Sequence, residues 1–128
     1  MPAMTPRPTD AELAILRVLW EQGPSTVRDV HERLGAERGV GYTTVLKLLQ
    51  IMTVKGLVVR DESQRTHTYR TRASEDQTQR KLVKDLIARA FGGSARKLVL
   101  HALDAAKSSP RELAEIRKLL DAMETDRE

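Results

Sequence analysis

The sequence predicts a mainly α-helical fold with one small β-hairpin, on three observations. Apolar residues recur at helical spacing in six segments of the 128-residue chain. Three of these segments open with Ser or Thr followed three residues later by Glu or Gln, which is the pattern of a helix-capping box. Two short runs of β-forming residues flank a polar stretch at 62–66. We therefore expect helices to dominate, with a single hairpin among them.

The first predicted helix begins after Thr9 and ends before the Gly23-Pro24 pair. Thr9 is its N-cap, and Glu12 is the N3 residue of a capping box. Glycine followed by proline ends a helix, because neither residue continues one easily. Residues 1–8 hold three of the five prolines and are expected to form a flexible arm. The positions predicted to be buried are Leu13, Leu16, Leu19 and Trp20.

A second, short helix is predicted next, with Ser25 or Thr26 as its N-cap. Gly35 is expected to end it, followed by a loop over 36–41. The apolar positions of this helix are Val27, Val30 and Leu34.

The third predicted helix, residues 42–55, has two distinct faces. Val45, Leu48, Leu49 and Met52 fall at i, i+3, i+4 and i+7, which predicts a buried stripe. Gly56 is expected to end the helix in the left-handed conformation that glycine adopts easily. The opposite face carries Thr43, Lys47 and Gln50.

The predicted hairpin joins strands at 57–61 and 67–71 through a turn at 62–66, with Arg65 at its tip. Three helices followed by a hairpin is the order of a helix-turn-helix with a wing. The amino-terminal half is therefore predicted to be a winged helix, at residues 9–73.

The composition changes near Ala73, and a C-terminal domain of three helices is predicted at 74–128. Ser74 and Ser109 begin capping boxes with Gln77 and Glu112, and Ser94 is predicted to cap the helix between them. Each helix carries a wide apolar stripe.

Three helices of this size seldom form a self-sufficient core, so two chains are expected to bury their stripes together as a homodimer. The alternative is a compact bundle that packs on the first domain of the same chain. The residues expected in the dimer interface are Leu86, Phe91, Leu98, Val99, Ala102, Leu103, Leu113, Ile116 and Leu120.

The formal charge of +4 is concentrated in one part of the chain. Residues 38–72 hold seven basic side chains against two acidic ones, whereas residues 74–128 hold eleven against ten. A local excess of this kind favours a polyanionic partner, although a solvated basic face is the alternative interpretation.

The polar face of the third helix and the wing are the candidate surface for double-stranded DNA. A helix fits the major groove, and phosphate contacts supply much of the affinity. Alternatively, Thr44 packs internally, Tyr42 is only a helix-start aromatic, Arg60 covers the hairpin, or the face docks an acidic protein. Arg28 and Arg38 are weaker candidates for flanking phosphates. The predicted DNA contacts are Tyr42, Thr43, Thr44, Lys47, Gln50, Arg60 and Arg65.

Several function classes are not expected. The chain has no cysteine, and His31, His67 and His101 lie in different elements without ligand-like spacing, so we expect no metal site and no cofactor. No catalytic constellation is present, so we expect no enzyme activity. No apolar run approaches the roughly 20 residues of a membrane span. Without a signal-peptide pattern either, a cytoplasmic location is expected.

The sequence also resembles the penicillinase-repressor (BlaI/MecI) family over residues 9–124. The resemblance implies a dimeric transcriptional repressor of the kind associated with antibiotic resistance, with a winged helix that binds palindromic operators and a three-helix tail that interlocks two chains. The segments that carry it are Leu16-Arg17-Val18-Leu19-Trp20, Thr26-Val27-Arg28-Asp29-Val30, Tyr42-Thr43-Thr44-Val45-Leu46, Lys55-Gly56-Leu57-Val58 and Phe91-Gly92-Gly93-Ser94.

The resemblance further implies a route of induction. In the best-known members a membrane metalloprotease sensor responds to β-lactam, and the repressor is cleaved in the middle helix of the tail. The cleaved pair there is typically Asn-Phe, and the matching place here is His101-Ala102. A copper-responsive branch binds metal through a cysteine-rich tail, a mechanism that a chain without cysteine does not share.

Overall fold

The computed structural model describes residues 7–126 and confirms a mainly α-helical fold with one hairpin. Most of the predicted arm at 1–8 lies outside the described residues. The elements in chain order are α1 (Asp10–Gln22), α2 (Val27–Arg38), α3 (Tyr42–Lys55), β1 (Val58–Asp61), β2 (Thr68–Thr71), α4 (Glu75–Ala90), α5 (Ala95–Ala106) and α6 (Pro110–Asp126).

The predicted capping box at the start of α1 is confirmed. Glu12 N donates to Thr9 Oγ1 at 3.2 Å, and Thr9 N donates to Glu12 Oε1 at 2.9 Å. Gly23, with φ of 82°, follows the last turn of α1. Of the positions predicted to be buried in α1, two are buried and two are partly buried. The hydrophobic residues that α1 buries are Ile15, Leu16, Val18 and Leu19.

The predicted end of α2 at Gly35 is wrong, because the helix continues to Arg38 and Gly39 ends it with a φ of 68°. Residues 36–38 are Ala, Glu and Arg, which are strong helix formers. Arg33 and Glu37 add an ion pair of 2.7 Å one turn apart. These contributions outweigh the roughly 1 kcal/mol that a glycine costs in a helix interior. Of the two predicted N-cap candidates, Thr26 caps α2.

The hairpin is antiparallel, with Val58 opposite Thr71 and Asp61 opposite Thr68. Ser25, between α1 and α2, forms an additional antiparallel bridge with Tyr69 of β2. Its N–H donates to Tyr69 O at 3.0 Å, and Tyr69 N donates to Ser25 O at 2.7 Å. The wing is therefore attached by backbone hydrogen bonds to the turn that precedes α2.

The core of the winged helix lies between α1, α2, α3 and the hairpin. Trp20, partly buried, donates from Nε1 to Ala73 O at 3.2 Å, which ties the end of α1 to the segment after the wing. The buried hydrophobic residues outside α1 are Val27, Val30, Leu34, Val45, Leu49, Met52, Leu57, Val58 and Tyr69.

The carboxyl-terminal helices begin as predicted. Ser74 and Gln77 form both bonds of a capping box, and Ser94 and Ser109 each accept a backbone N–H in the first turn of their helices. The chain divides into two compact units between Leu82 and Val83, inside α4. The predicted domain boundary at 73/74 stays a prediction. No helix within residues 7–126 is long and apolar enough to cross a membrane.

Candidate nucleic-acid interface

The two faces predicted for α3 are confirmed. Val45, Leu49 and Met52 have no exposed surface, and Leu48 is partly buried. Thr43, Lys47 and Gln50 are all exposed on the opposite side. The buried stripe fixes the rotation of the helix about its axis, so the polar row faces outward.

The first turn of α3 suits an anionic ligand. Its N-cap is Gly41, which provides no side-chain hydrogen bond, and the first turn contains no acidic residue. The free N–H groups and the positive end of the helix dipole therefore remain available to a phosphate. Thr44 is exposed, so the alternative that it packs internally is wrong.

Tyr42, the first residue of α3, rests against α2. Its ring meets the His31 ring edge-on, with centroids 5.8 Å apart and an interplanar angle of 80°. Tyr42 is still 48% exposed. The contact with His31 restricts the ring without covering it, so Tyr42 combines a packing role with an accessible surface.

The wing carries both signs of charge. Arg60 forms an ion pair with Glu62, which neutralises part of the predicted basic surface. The hydrogen bond from Ser63 N–H, with a smaller effect of nearby Arg70, lowers the pKa of Asp61. Arg65 is exposed in the turn between the strands, at the predicted tip. Arg65 is thus better placed than Arg60 for contacts outside the chain.

The two weaker candidates lie on α2. Arg28 is exposed but pairs with Glu32 at 3.1 Å, one turn further along the helix. Arg38 is exposed in the last turn of α2. The ion pair reduces the net charge that Arg28 presents, so Arg38 is the better candidate of the two.

One ion pair was missed by sequence reasoning, which counted Lys55 only among the basic residues of 38–72. Lys55 Nζ lies 2.9 Å from Glu12 Oε2 and 3.1 Å from Oε1. Burial raises the pKa of Glu12, but hydrogen bonds from Thr9 N–H and Lys55 outweigh it and leave that pKa below its usual value. The two residues are 43 positions apart, so no local pattern could have found the pair.

A second omission is Val54, an apolar side chain on the exposed side of α3. It is 89% exposed and follows Lys47 and Gln50 at i+7 and i+4. Continuing the row of Thr43, Lys47 and Gln50 by one more turn leads to Val54, so helical periodicity could have found this residue.

In the tail, none of the residues of α4, α5 and α6 is buried within one chain. The predicted dimer residues are therefore all accessible to some degree. Phe91, Leu98, Leu103 and Ile116 are partly buried. The exposed members of the predicted set are Leu86, Val99, Ala102, Leu113 and Leu120.

The predicted cleavage pair lies within α5, where His101 and Ala102 are both exposed. The His101 ring lies 5.9 Å from the Phe91 ring, at an angle of 34°. The peptide bond between His101 and Ala102 is therefore helical in this state.

Known proteins resemble this chain over most of its length. A family model described as penicillinase repressor matches residues 8–122. The transcriptional regulator BlaI of Mycobacterium tuberculosis is 37% identical over 92 residues, covering 71% of this chain and 67% of that protein. The penicillinase repressor of Staphylococcus aureus is 21% identical over 111 residues, covering 87% and 88%.

A solved structure matches just over half of this chain. It is the solution structure of the Bacillus licheniformis BlaI monomeric form in complex with the blaP half-operator. The match has a TM-score of 0.51 and 22% identity, and it covers 57% of this chain and 89% of that one. At this identity the match establishes the shared fold.

Proposed function

This chain belongs to the penicillinase repressor family, and from that membership we propose that it represses transcription by binding operator DNA through α3 and the wing. One observation carries the proposal. The exposed row of Thr43, Lys47 and Gln50 is held outward by the buried stripe on the opposite side of α3. The helix is followed by a wing with Arg65 at its tip.

In this proposal α3 enters the major groove with its amino end leading and its exposed row lying along the base edges. Its free N–H groups and the side chains of Tyr42, Thr43 and Thr44 contact phosphates and thymine methyl groups. Lys47 is placed to reach a phosphate or the acceptor edge of guanine, and Gln50 can bond adenine or the backbone. Binding there would block access to the promoter.

The wing supplies a second contact, to the neighbouring backbone or minor groove. Arg65 is exposed at its tip, whereas Arg60 must exchange its bond with Glu62 for one with phosphate. We therefore assign Arg65 the larger share of the affinity, and Arg60 a smaller one.

We propose that the protein acts as a homodimer. The tail helices bury none of their residues within one chain, yet they expose large hydrophobic side chains such as Leu86, Leu120 and Met123. Packing against a second copy would remove this surface from water. Two winged helices would then contact half-sites about one helical turn, roughly 34–36 Å, apart.

The proposed route of induction is cleavage of α5 at His101–Ala102, linked to a membrane metalloprotease sensor. The pair is exposed but helical. Cleavage of a helical bond requires local unwinding. This unwinding costs little in the free monomer, where α5 buries no residue, and more in the dimer, where α5 is part of the proposed interface. Separation of the two chains would then release the operator.

The test is a gel-shift titration on a duplex selected from random sequence by the wild-type protein. Lys47→Ala and Arg65→Ala are each expected to weaken binding about tenfold. The controls are Lys118→Ala and Arg117→Ala in α6, which remove the same charges from the tail. Their affinity for a half-site should stay within about twofold of the wild-type value. Unchanged binding in the first pair would contradict the site assignment.

The second candidate function is a winged-helix module in which the same face docks an acidic protein. It predicts weak duplex binding that hardly changes with salt. The repressor predicts that DNA affinity falls steeply as salt is added, because bound lysines and arginines release counterions from phosphate.

A further inference from the structure

Val54 has an unusual environment for an apolar residue. It is 89% exposed, the largest exposed fraction among the large hydrophobic side chains that the structure describes on residues 7–126. Neighbouring Ile51 is also exposed, at 37%. Both lie on the outward side of α3, away from the buried stripe.

The position of Val54 along the helix is regular. Thr43, Lys47, Gln50 and Val54 are separated by four, three and four residues, so they form one straight row on the exposed face. The row covers twelve residues, and the eleven steps between its ends span about 16 Å at 1.5 Å per residue. That length corresponds to about five base pairs at 3.4 Å each.

We propose that Val54 is a specificity-determining residue that contacts the C5-methyl group of a thymine at one end of each operator half-site. The inference rests on the proposed function and deepens it. In the major groove thymine alone presents a methyl group, and an apolar side chain is its ordinary partner. Phosphates offer valine no comparable contact, so the role of Val54 is the choice of sequence and not general affinity.

The residues on either side of Val54 hold it in place. Thr53 Oγ1 donates to Leu49 O at 2.8 Å, and Lys55 is held by Glu12 at 2.9 Å. The backbone between them is thus anchored to the core and to α1. Val54 is therefore presented in one position, and little ordering is needed when a ligand meets it.

The surroundings favour DNA over a protein partner. Lys47 and Gln50 precede Val54 in the same row, and the first turn of α3 has no acidic residue. Val54 and Ile51 together form a small apolar patch, whereas a stable protein interface covers roughly 800 Å² on each partner. The methyl group of a thymine in the major groove matches the size of this patch better.

The experiment is a uracil scan of the duplex selected by the wild-type protein. Deoxyuridine replaces one thymine at a time and so deletes one methyl group. For the wild type, at least one replacement per half-site is expected to weaken binding about fourfold, the effect of one buried carbon. Val54→Ala should bind the unmodified duplex more weakly and lose the penalty at that position.

Two variants serve as controls. Val54→Ile keeps an apolar side chain and should retain the uracil penalty. Lys47→Ala should weaken binding to the thymine and uracil duplexes equally and so retain the penalty as well. Circular dichroism and thermal melting check that each variant is folded, which the exposure of Val54 and Lys47 leads us to expect.

The outcomes separate the inference from the proposed function. If Val54→Ala shows the same penalties as the wild type, the inference is overturned while operator binding stands. The same holds if Val54→Ala binds unchanged, as expected when the residue contacts a protein. If the wild type selects no duplex at all, the proposed function fails, and the inference fails with it.

Discussion

The carboxylate of Glu12 and the ammonium group of Lys55 lie 2.9 Å apart and join the first turn of α1 to the last residue of α3. Glu12 is buried, whereas the Lys55 side chain is 29% exposed, so the carboxylate is out of water and the ammonium group is only partly so. The pair sits at the carboxyl end of the helix that carries the proposed DNA contacts. It therefore connects the stability of the domain to the placement of that helix.

Glu12→Gln tests this ion pair. We expect it to lower the free energy of unfolding at neutral pH by about 1–3 kcal/mol, because the Lys55 charge loses its partner. Urea denaturation measures the change, with Glu124→Gln on exposed α6 as the control. A loss no larger than that of the control would mean that the pair contributes little.

The same pair predicts a pH dependence. The pKa of Glu12 in the folded state lies below its usual value of 4.5. The stability that ionised Glu12 contributes is therefore fully present above pH 4.5. This stability is lost as the pH falls from 4.5 toward the folded-state pKa of Glu12. Urea midpoints measured from pH 6 downward should fall less steeply for Glu12→Gln than for the wild type. Parallel curves would show that other carboxylates dominate.

Two glycine substitutions should have opposite effects. Gly56 has a φ of 82°, so Gly56→Ala places a side chain in the left-handed region at a cost of about 1–2 kcal/mol. Gly35 lies inside α2, and a Cβ there would meet His31 Nε2 at 3.5 Å, an ordinary contact. Gly35→Ala should therefore add about 0.5–1 kcal/mol. Thermal melting should show a lower melting temperature for Gly56→Ala and a higher one for Gly35→Ala than for the wild type.

Glu62→Gln should strengthen DNA binding. Glu62 holds Arg60 in an ion pair on the exposed wing. Its neutralisation frees the guanidinium and removes a like charge from the phosphate surface, which we expect to raise affinity about two- to fivefold at low salt. Fluorescence anisotropy with labelled duplex measures it. Glu124→Gln, with the same charge change in α6, should not reproduce the gain.

Leu103→Glu should convert the proposed dimer to monomer, because it places a charge within the apolar stripe of α5. Lys97→Glu is the control. Lys97 is exposed and lies on the opposite side of α5 from the middle of that stripe, about 170° around the helix. Light scattering distinguishes the two masses. A dimer that survives Leu103→Glu would place the interface elsewhere.

Much of the fold could be predicted because its determinants are local. Thr9, Ser74 and Ser94 cap their helices as the sequence indicates, and the spacing of buried residues orients α3. The predicted end of α2 at Gly35 is wrong because a glycine breaks a helix only weakly, and the helix formers at 36–38 together with the Arg33–Glu37 ion pair continue it to Arg38.

Other features depend on tertiary contacts. Ser25 lies in no β-forming run, and its pairing with Tyr69 follows only from the packed position of the wing. The Glu12–Lys55 pair depends on α1 and α3 meeting. The role proposed for Val54 could not be predicted, because periodicity shows which face of a helix a residue occupies and not what that residue contacts.

The two hydrogen bonds between Ser25 and Tyr69 have a consequence for the DNA itself. They restrain the hairpin relative to the helices. The distance between α3 and the wing is therefore set by the fold. A duplex must then adjust its groove widths and bend to fit that spacing. Sequences that deform easily would be preferred even at base pairs that no side chain touches.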